Sequence, residues 1–290
     1  MTLEQLRIFL EVARLQHVTR ASETLHLTQS AVSASLAALE AQHGVPFFDR
    51  VGRGIVLNDA GRMFMPLANA VLRRASEAEN WLAELRGGEV GTLRLQASQT
   101  LATYFLPSHL IRFQSLYPRV TLHFIQGNTA TVAAAVRSGE ADLGIVEGRV
   151  DSQGLRQTTV GGDRLVLLVG ASHLWRQQPQ LTATALAAAD WVLREAGSGT
   201  RALFDEALQG HGINPVTPML ELPSNEACIA AVETGHGATV LSEHAAAPHC
   251  AAGRVFEVPF SFPERAFTAL SHSERSLSRA AENFLASLRR

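Results

Sequence analysis

Two sets of short polar side chains stand where the sequence pattern starts helices. The first is Gln29, Ser30 and Ser33, directly after Thr28 in LTQSAVSASLAALEAQHG. A glutamine amide can bond an adenine edge through both of its groups, and a serine hydroxyl serves donor or acceptor edges. The second set is spread over three places: Ser98, Gln99 and Thr100; Asn128 and Thr129; and Ser198 and Thr200 in EAGSGTR. A helix N-terminus offers free N–H groups and a positive partial charge, so hydroxyls gathered there suit a small anion. Each cluster taken alone also reads as a plain N-cap. Glu147 ends a strand at the same edge, and Glu195 and Glu226 lie near the other loops. A carboxylate in an anion pocket must be paired or protonated. Arg201 is a candidate partner. Alternatively, Glu147 accepts a hydrogen bond from a protonated oxyanion or from an amino group.

Composition narrows the classes of function. The chain has 290 residues, 46% hydrophobic and 18% charged, as expected of a globular protein with two or three domains. Its formal net charge is -2, so no whole-molecule basic field draws in a polyanion. All 25 cationic side chains are Arg, which excludes phosphate-loop and Schiff-base chemistry that needs Lys. Cys228 and Cys250 form no CxxC, and with His244 and His249 read as loop histidines no metal and no cofactor are expected. Ser198 sits in AGSGT rather than GxSxG, so no nucleophile elbow is indicated and no enzyme is expected. Without a leader pattern or an apolar run of membrane length, a cytoplasmic protein that does not engage a membrane is expected.

The elements that position these residues follow from periodicity. Leu3, Leu6, Phe9, Leu10 and Ala13 give a first amphipathic helix. Thr19 is expected to cap a second helix, Arg20 to Leu25. Thr28 caps a third, with Ala31, Val32, Leu36 and Leu39 as its buried stripe and Gly44 as its stop. Two short helices joined by a tight turn form a helix-turn-helix. FFDRVGRGIVLNDAGR then reads as a two-stranded wing turning at Gly52 to Gly54. A long helix from about Asp59 to Arg86 has Asn58 or Asp59 as its cap, a kink expected at Pro66, and an apolar face of Met63, Leu67, Ala70, Val71, Ala78 and Leu82. Gly87, Gly88 and Gly91 mark a hinge. Beyond it, strands at 93–97, 120–125, 142–148 and 164–170 alternate with helices, which predicts mostly parallel sheets. A last strand at 266–271 and a helix at 277–288 close the chain.

The stretch ASETLHLTQSAVSASLAALEAQHGVPFFDRVGRGIVLNDAGR resembles the winged helix-turn-helix of LysR-type transcriptional regulators. LRLQAS, the strand ending GNT and GEADLGIVEG resemble the effector-binding domain of the same family. The resemblance covers essentially the whole chain in order. Three positions depart from the common pattern: Ser22 stands for Ala, Ala34 for a frequent Arg or Lys, and Asn58 for a common Thr.

The resemblance implies a fold with an N-terminal all-α winged helix-turn-helix, a long linker helix and a C-terminal two-lobed α/β effector domain like periplasmic binding proteins. The expected boundaries are 1–58, 59–91 and 92–290. Within the last, 92–162 with 266–290 form one lobe and 163–265 the other. The DNA-contacting candidates are Arg20, Thr28, Gln29, Ser30, Ser33, Ala34, Arg50 and Arg53. The reader is polar, and the clamp on phosphates or the minor groove is Arg. Five Arg against six Asp or Glu in residues 1–60 leave a net -1, so affinity requires more than one copy. The implied partners are double-stranded DNA, RNA polymerase, and further copies forming a homodimer that assembles to a homotetramer. Ser98, Gln99, Thr100, Asn128, Thr129, Glu147, Ser198 and Thr200 are the effector candidates. GNT paired with VEG resembles the branch tied to sulfur assimilation, which implies sulfite or a similar oxyanion, with a small carboxylate as the alternative. A solute-binding protein without regulatory output shares the two-lobed plan but not the N-terminal helices.

Overall fold

The computed structural model describes residues 1–51, 54–85, 90–178 and 180–289. Gly52 and Arg53 of the predicted wing turn, and Gly87 and Gly88 of the predicted hinge, lie outside the described residues. The chain divides into two compact units, one of residues 1–87 with 138–140, the other of 88–137 with 141–290.

The first unit opens with α1 (Leu3–Leu15), α2 (Val18–Thr24) and α3 (Gln29–His43). Thr2 and Gln5 close a capping box on α1. The cap of α2 is His17 rather than Thr19. Its ring nitrogen accepts from the Arg20 N–H at 3.4 Å, which draws Val18 and Thr19 into the first turn. Thr28 caps α3, accepting from the Ala31 N–H at 3.2 Å, and Gly44 ends it at φ 66°. Val32, Leu36 and Leu39 face the core; Ala31, expected in that stripe, is exposed.

The wing is an antiparallel pair, β1 (Phe48–Val51) and β2 (Gly54–Leu57). Asn58 then caps α4 (Asp59–Leu85), accepting from the Gly61 N–H at 2.9 Å while donating to the Pro46 carbonyl at 3.0 Å. Pro66 lies inside α4, which runs on past it. Four phenylalanines lock α1, the wing and α4 together. The Phe9 ring lies 5.2, 5.6 and 5.1 Å from those of Phe47, Phe48 and Phe64, and Phe47 stacks on Phe64 at 4.7 Å. One face of α4 supplies Phe64, Ala68 and Leu72 to this core. The other leaves Met63, Leu67, Val71, Trp81 and Leu82 exposed. Among the described residues no helix is long and apolar enough to cross a membrane.

The second unit runs β3 (Gly91–Ser98), α5 (Leu106–Leu116), β4 (Val120–Gly127), α6 (Thr129–Ser138), β5 (Leu143–Glu147), β6 (Leu155–Asp163), β7 (Leu165–Gly170), α7 (Ala183–Ala187), β8 (Val192–Arg194), α8 (Gly199–Gly210), β9 (Leu220–Leu222), α9 (Asn225–Glu233), β10 (Ala238–Ser242), α10 (Glu243–Ala251), β11 (Val255–Val258), β12 (Arg265–His272) and α11 (Arg279–Ser287). A single π-type turn, Leu101–Phe105, precedes α5. One lobe is a five-stranded sheet of order β4-β3-β5-β12-β6, and the other holds the sheet β10-β7-β11 and the pair β8-β9.

The sheets are mixed, which corrects the expectation of mostly parallel strands. Among the strand pairs of the described residues, β3-β4, β3-β5 and β8-β9 are parallel and the rest antiparallel. The physical reason is the double crossing between lobes. The chain leaves the first lobe through β6 and returns through β12, so these two strands run antiparallel, as do β10 and β11 against β7. In β7, LVLLV is buried on both faces: Leu165, Leu167 and Val169 pack into one core, Val166 and Leu168 into another. His244 and His249, expected in a loop, lie on α10 with Cys250, and His249 pairs with Glu233 at 3.0 Å.

Because Phe9 is fully buried and touches three aromatic rings, Phe9→Ala is expected to cost about 3–5 kcal/mol of stability in the first unit. Scanning calorimetry should show its transition moving down while that of the second unit stays in place.

Candidate functional site

The start of α3 presents a polar, uncharged surface. Gln29, Ser30, Ser33 and Ala34 are all exposed, and Thr28 shares a hydroxyl contact of 3.1 Å with Ser30. Arg20 and Arg50 are exposed on α2 and β1; Arg53 lies outside the described residues. Glu40, the one formal charge between Gln29 and Gln42, accepts the Phe47 N–H at 2.7 Å. That bond fixes the turn from α3 into the wing. The Glu40 role is missed by sequence reasoning, which has only a seven-residue offset across Gly44 and Pro46 to work from.

The second set of candidates gathers between the two lobes of the second unit. Ser98 ends β3, Glu147 ends β5, and Asn128 and Thr129 open α6. Ser198 and Thr200 open α8 from the other lobe. Ser98 donates its hydroxyl proton to the Glu147 carboxylate, and Thr129 donates to the Glu147 backbone carbonyl at 2.9 Å. The Ala130 N–H reaches the Gly197 carbonyl at 3.1 Å. Gly199 makes this approach possible: a Cβ there would lie 2.0 Å from the Glu147 carbonyl oxygen, so only glycine lets α8 sit on the end of β5.

Thr100 and Ser198 make no side-chain cap bond to their helices, which removes the plain-cap explanation for both. Asn128 does cap, accepting from the Thr131 N–H at 3.0 Å. The Ser198 hydroxyl is buried and makes no hydrogen bond. It stands beside the free N–H groups of the first turn of α8, whose first internal bond is Ala202 N–H to the Ser198 carbonyl.

Two buried arginines organise the site, and sequence reasoning finds neither. Arg194, at the end of β8, donates to Gln99 at 3.1 Å, Asn225 at 2.9 Å and Glu195 at 2.8 Å. Asn225 in turn donates to Thr100 at 3.1 Å, and Asn128 to Glu195 at 3.2 Å. Arg265, at the start of β12, holds Asp163 through two nitrogens and donates to Thr200 at 3.0 Å. Its Nη1 is 3.9 Å from the Glu147 carboxylate. Arg201, expected to pair with a cleft carboxylate, pairs instead with Asp205 at 2.9 Å and Glu221 at 3.7 Å. The i,i+4 spacing on α8 places Asp205 within reach, and that local partner wins.

Glu226 accepts from Gln99 at 2.8 Å and from the Tyr104 hydroxyl at 2.6 Å. Burial, then that bond to Glu226, pushes the Tyr104 phenol far above its ordinary range. Burial pushes the Cys228 thiol up to about 11, with Arg194 opposing it only in part, so a neutral thiol flanks the cleft. The result is a cluster of hydroxyls, amides and paired charges between the two lobes.

Comparison with known proteins agrees with this division. Residues 3–62 match the family described as bacterial regulatory helix-turn-helix protein, lysR family, and residues 86–290 match LysR substrate binding domain. The uncharacterized HTH-type transcriptional regulator YeiE of Escherichia coli K12 is 37% identical over 98% of this chain and 96% of its own length. CbnR complexed with its target DNA superposes with a TM-score of 0.71 at 20% identity, covering 100% of this chain and 99% of that one. The CcmR regulatory domain of Synechocystis, in complex with 2-PG, is 28% identical with a TM-score of 0.62, covering 68% of this chain and 95% of that one. A solute-binding protein without regulatory output is not favoured, because the helix-turn-helix match is independent of the two-lobed domain. A DNA-reading unit and an effector-binding unit in this order make the chain a member of the LysR family of DNA-binding transcriptional regulators.

Proposed function

We propose that this regulator is switched by a small oxyanion, sulfite or a relative, bound between the two lobes of its effector domain. The observation that carries the reading is the buried Ser198 hydroxyl without a partner, beside the open first turn of α8 and among Ser98, Thr100, Thr129 and Thr200. Hydroxyls, helix N–H groups and a nearby guanidinium are the donors an oxyanion needs. Glu147 then accepts a hydrogen bond from a proton-bearing oxygen of the anion. A small carboxylate is the second reading, and the 2-PG held by the CcmR domain favours an anion of some kind. The sulfur assignment rests on the donor set and on the GNT and VEG segments, since the relatives' names carry no sulfur compound. Closure of the lobes around the anion shifts a two-state equilibrium by the anion's differential affinity, on the order of 1–3 kcal/mol.

On DNA, Gln29, Ser30 and Ser33 with Ala34 face base edges in the major groove, and Arg20, Arg50 and Arg53 hold backbone phosphates. The exposed stripe of Met63, Leu67, Val71 and Leu82 on α4 is the seam between two copies, and two dimers assemble into a tetramer.

Three measurements test these assignments. Arg50→Ala should weaken binding to all sequences and lower the log–log salt slope by roughly 0.9, whereas Gln29→Ala should change preference at its base by about 1–3 kcal/mol. Unchanged affinity and slope in the first variant would remove Arg50 from the interface. Leu67→Glu with Val71→Glu should yield monomers by sedimentation and lose operator binding at physiological salt; a tight-binding monomer would refute the seam. Calorimetry with sulfite, sulfate and small carboxylates should show weakened binding in Ser98→Ala and Thr100→Val, with operator binding kept. Undiminished anion binding in both would rule out the pocket.

A further inference from the structure

Arg265 and Asp163 are register partners on the two strands that join the lobes, β12 and β6. Both side chains are buried, at 1% and 0% exposure. The guanidinium grips Asp163 through Nε and Nη2, and the Ser242 hydroxyl, at the end of β10, adds a bond to Asp163 at 2.5 Å. Nη1 reaches out of this crossing to Thr200 on the first turn of α8, 3.0 Å away. These bonds use three of the five N–H groups of the guanidinium. The Glu147 carboxylate, at 3.9 Å from Nη1, is beyond hydrogen-bond reach.

We infer that Arg265 is the cationic contact to the effector anion, and that its grip on Asp163 ties the bound anion to the strands about which the lobes move. The inference rests on the proposed anion site and assigns its charge to a residue outside the hydroxyl clusters. Nη1 stands beside Thr200, at the helix end where the Ser198 hydroxyl is buried without a partner. An anion placed there takes an N–H that no acceptor uses, while Nε and Nη2 stay on Asp163. Lysine cannot replace this arrangement. A point ammonium has no planar fork with which to hold Asp163 and present a further donor to the cleft.

The test uses full-length protein and a panel of sulfite, sulfate, phosphate and acetate. Arg265→Lys should bind the best anion of the panel at least about tenfold more weakly, the scale of one charge-assisted hydrogen bond. Because a lone change at a buried pair can unfold the lobe, the neutral pair Arg265→Gln with Asp163→Asn serves as the second variant. It keeps a hydrogen-bonded contact without charge, and should melt cooperatively yet show no anion-induced rise in unfolding temperature. Asp163→Asn alone, whose amide oxygen still accepts from the guanidinium, should melt cooperatively and keep anion binding within a few-fold but lose the anion-induced change in operator affinity. Wild-type anion affinity in folded Arg265→Lys or in the neutral pair would overturn the contact, and a normal switch in Asp163→Asn would overturn the tie. Failure of the wild-type protein to bind any of the four anions would overturn the anion site itself and this role with it.

Discussion

A guanidinium removed from water has to be matched by acceptors, and in this protein that requirement is concentrated at Arg265. The strands β6 and β12 are the two passages between lobes, and the Arg265–Asp163 pair lies across them. Removing one partner of such a buried pair leaves an unmatched charge, which costs far more than the intact pair contributes. The crossing is therefore held in one register. From that fixed point the same two side chains bond the start of α8 through Thr200 and the end of β10 through Ser242, while Glu147 at the end of β5 lies 3.9 Å away. The second arginine, Arg194, does the same for Gln99, Glu195 and Asn225. Two charged hubs, each with defined acceptors, hold the lobes face to face in a specific arrangement.

Much of this was legible in the sequence, for reasons that differ residue by residue. Thr28, Gly44 and Asn58 sit at helix ends, where the side chain bonds its own neighbourhood and local pattern suffices. Ser98, Asn128 and Ser198 could be placed near strand and helix ends for the same reason. Which of them cap and which do not could not be read, because that depends on residues far along the chain: Glu147 takes the Ser98 hydroxyl, whereas the Ser198 hydroxyl is buried with no hydrogen-bond partner. Arg194 and Arg265 were invisible. Each stands at the end of a strand, and its burial depends on partners far along the chain, such as Asn225, 31 positions from Arg194, and Asp163, 102 positions from Arg265. The sheet directions failed in the same way: the periodicity of β7 reveals burial on both faces but not the course of the chain that makes its neighbours antiparallel. His17 shows the limit of preference rules, since a ring nitrogen took a cap that Thr19 was expected to supply.

The first unit follows a different logic from the second. Its core is built from aromatic contacts, and the half-buried charge of Glu40 is turned back onto the Phe47 backbone. Excess acidic charge in residues 1–60 makes binding to a polyanion depend on the few exposed arginines and on the number of copies present. The apolar residues that α4 leaves exposed, Leu67 and Val71 among them, fit that need as the proposed seam between copies.

The placement of Glu40 has a further consequence for how such a regulator diverges. The residues that keep α3 folded and joined to the wing, Val32, Leu36, Leu39 and Glu40, occupy its inner side, whereas Gln29, Ser30, Ser33 and Ala34 make no core contact. The proposed reading surface is thus decoupled from the core contacts of its own helix. Exchanges among polar residues on that surface fall in the class with small stability effects. A duplicated copy of the gene can therefore acquire a new target vocabulary by drift at a handful of positions, without first accumulating compensating stability elsewhere.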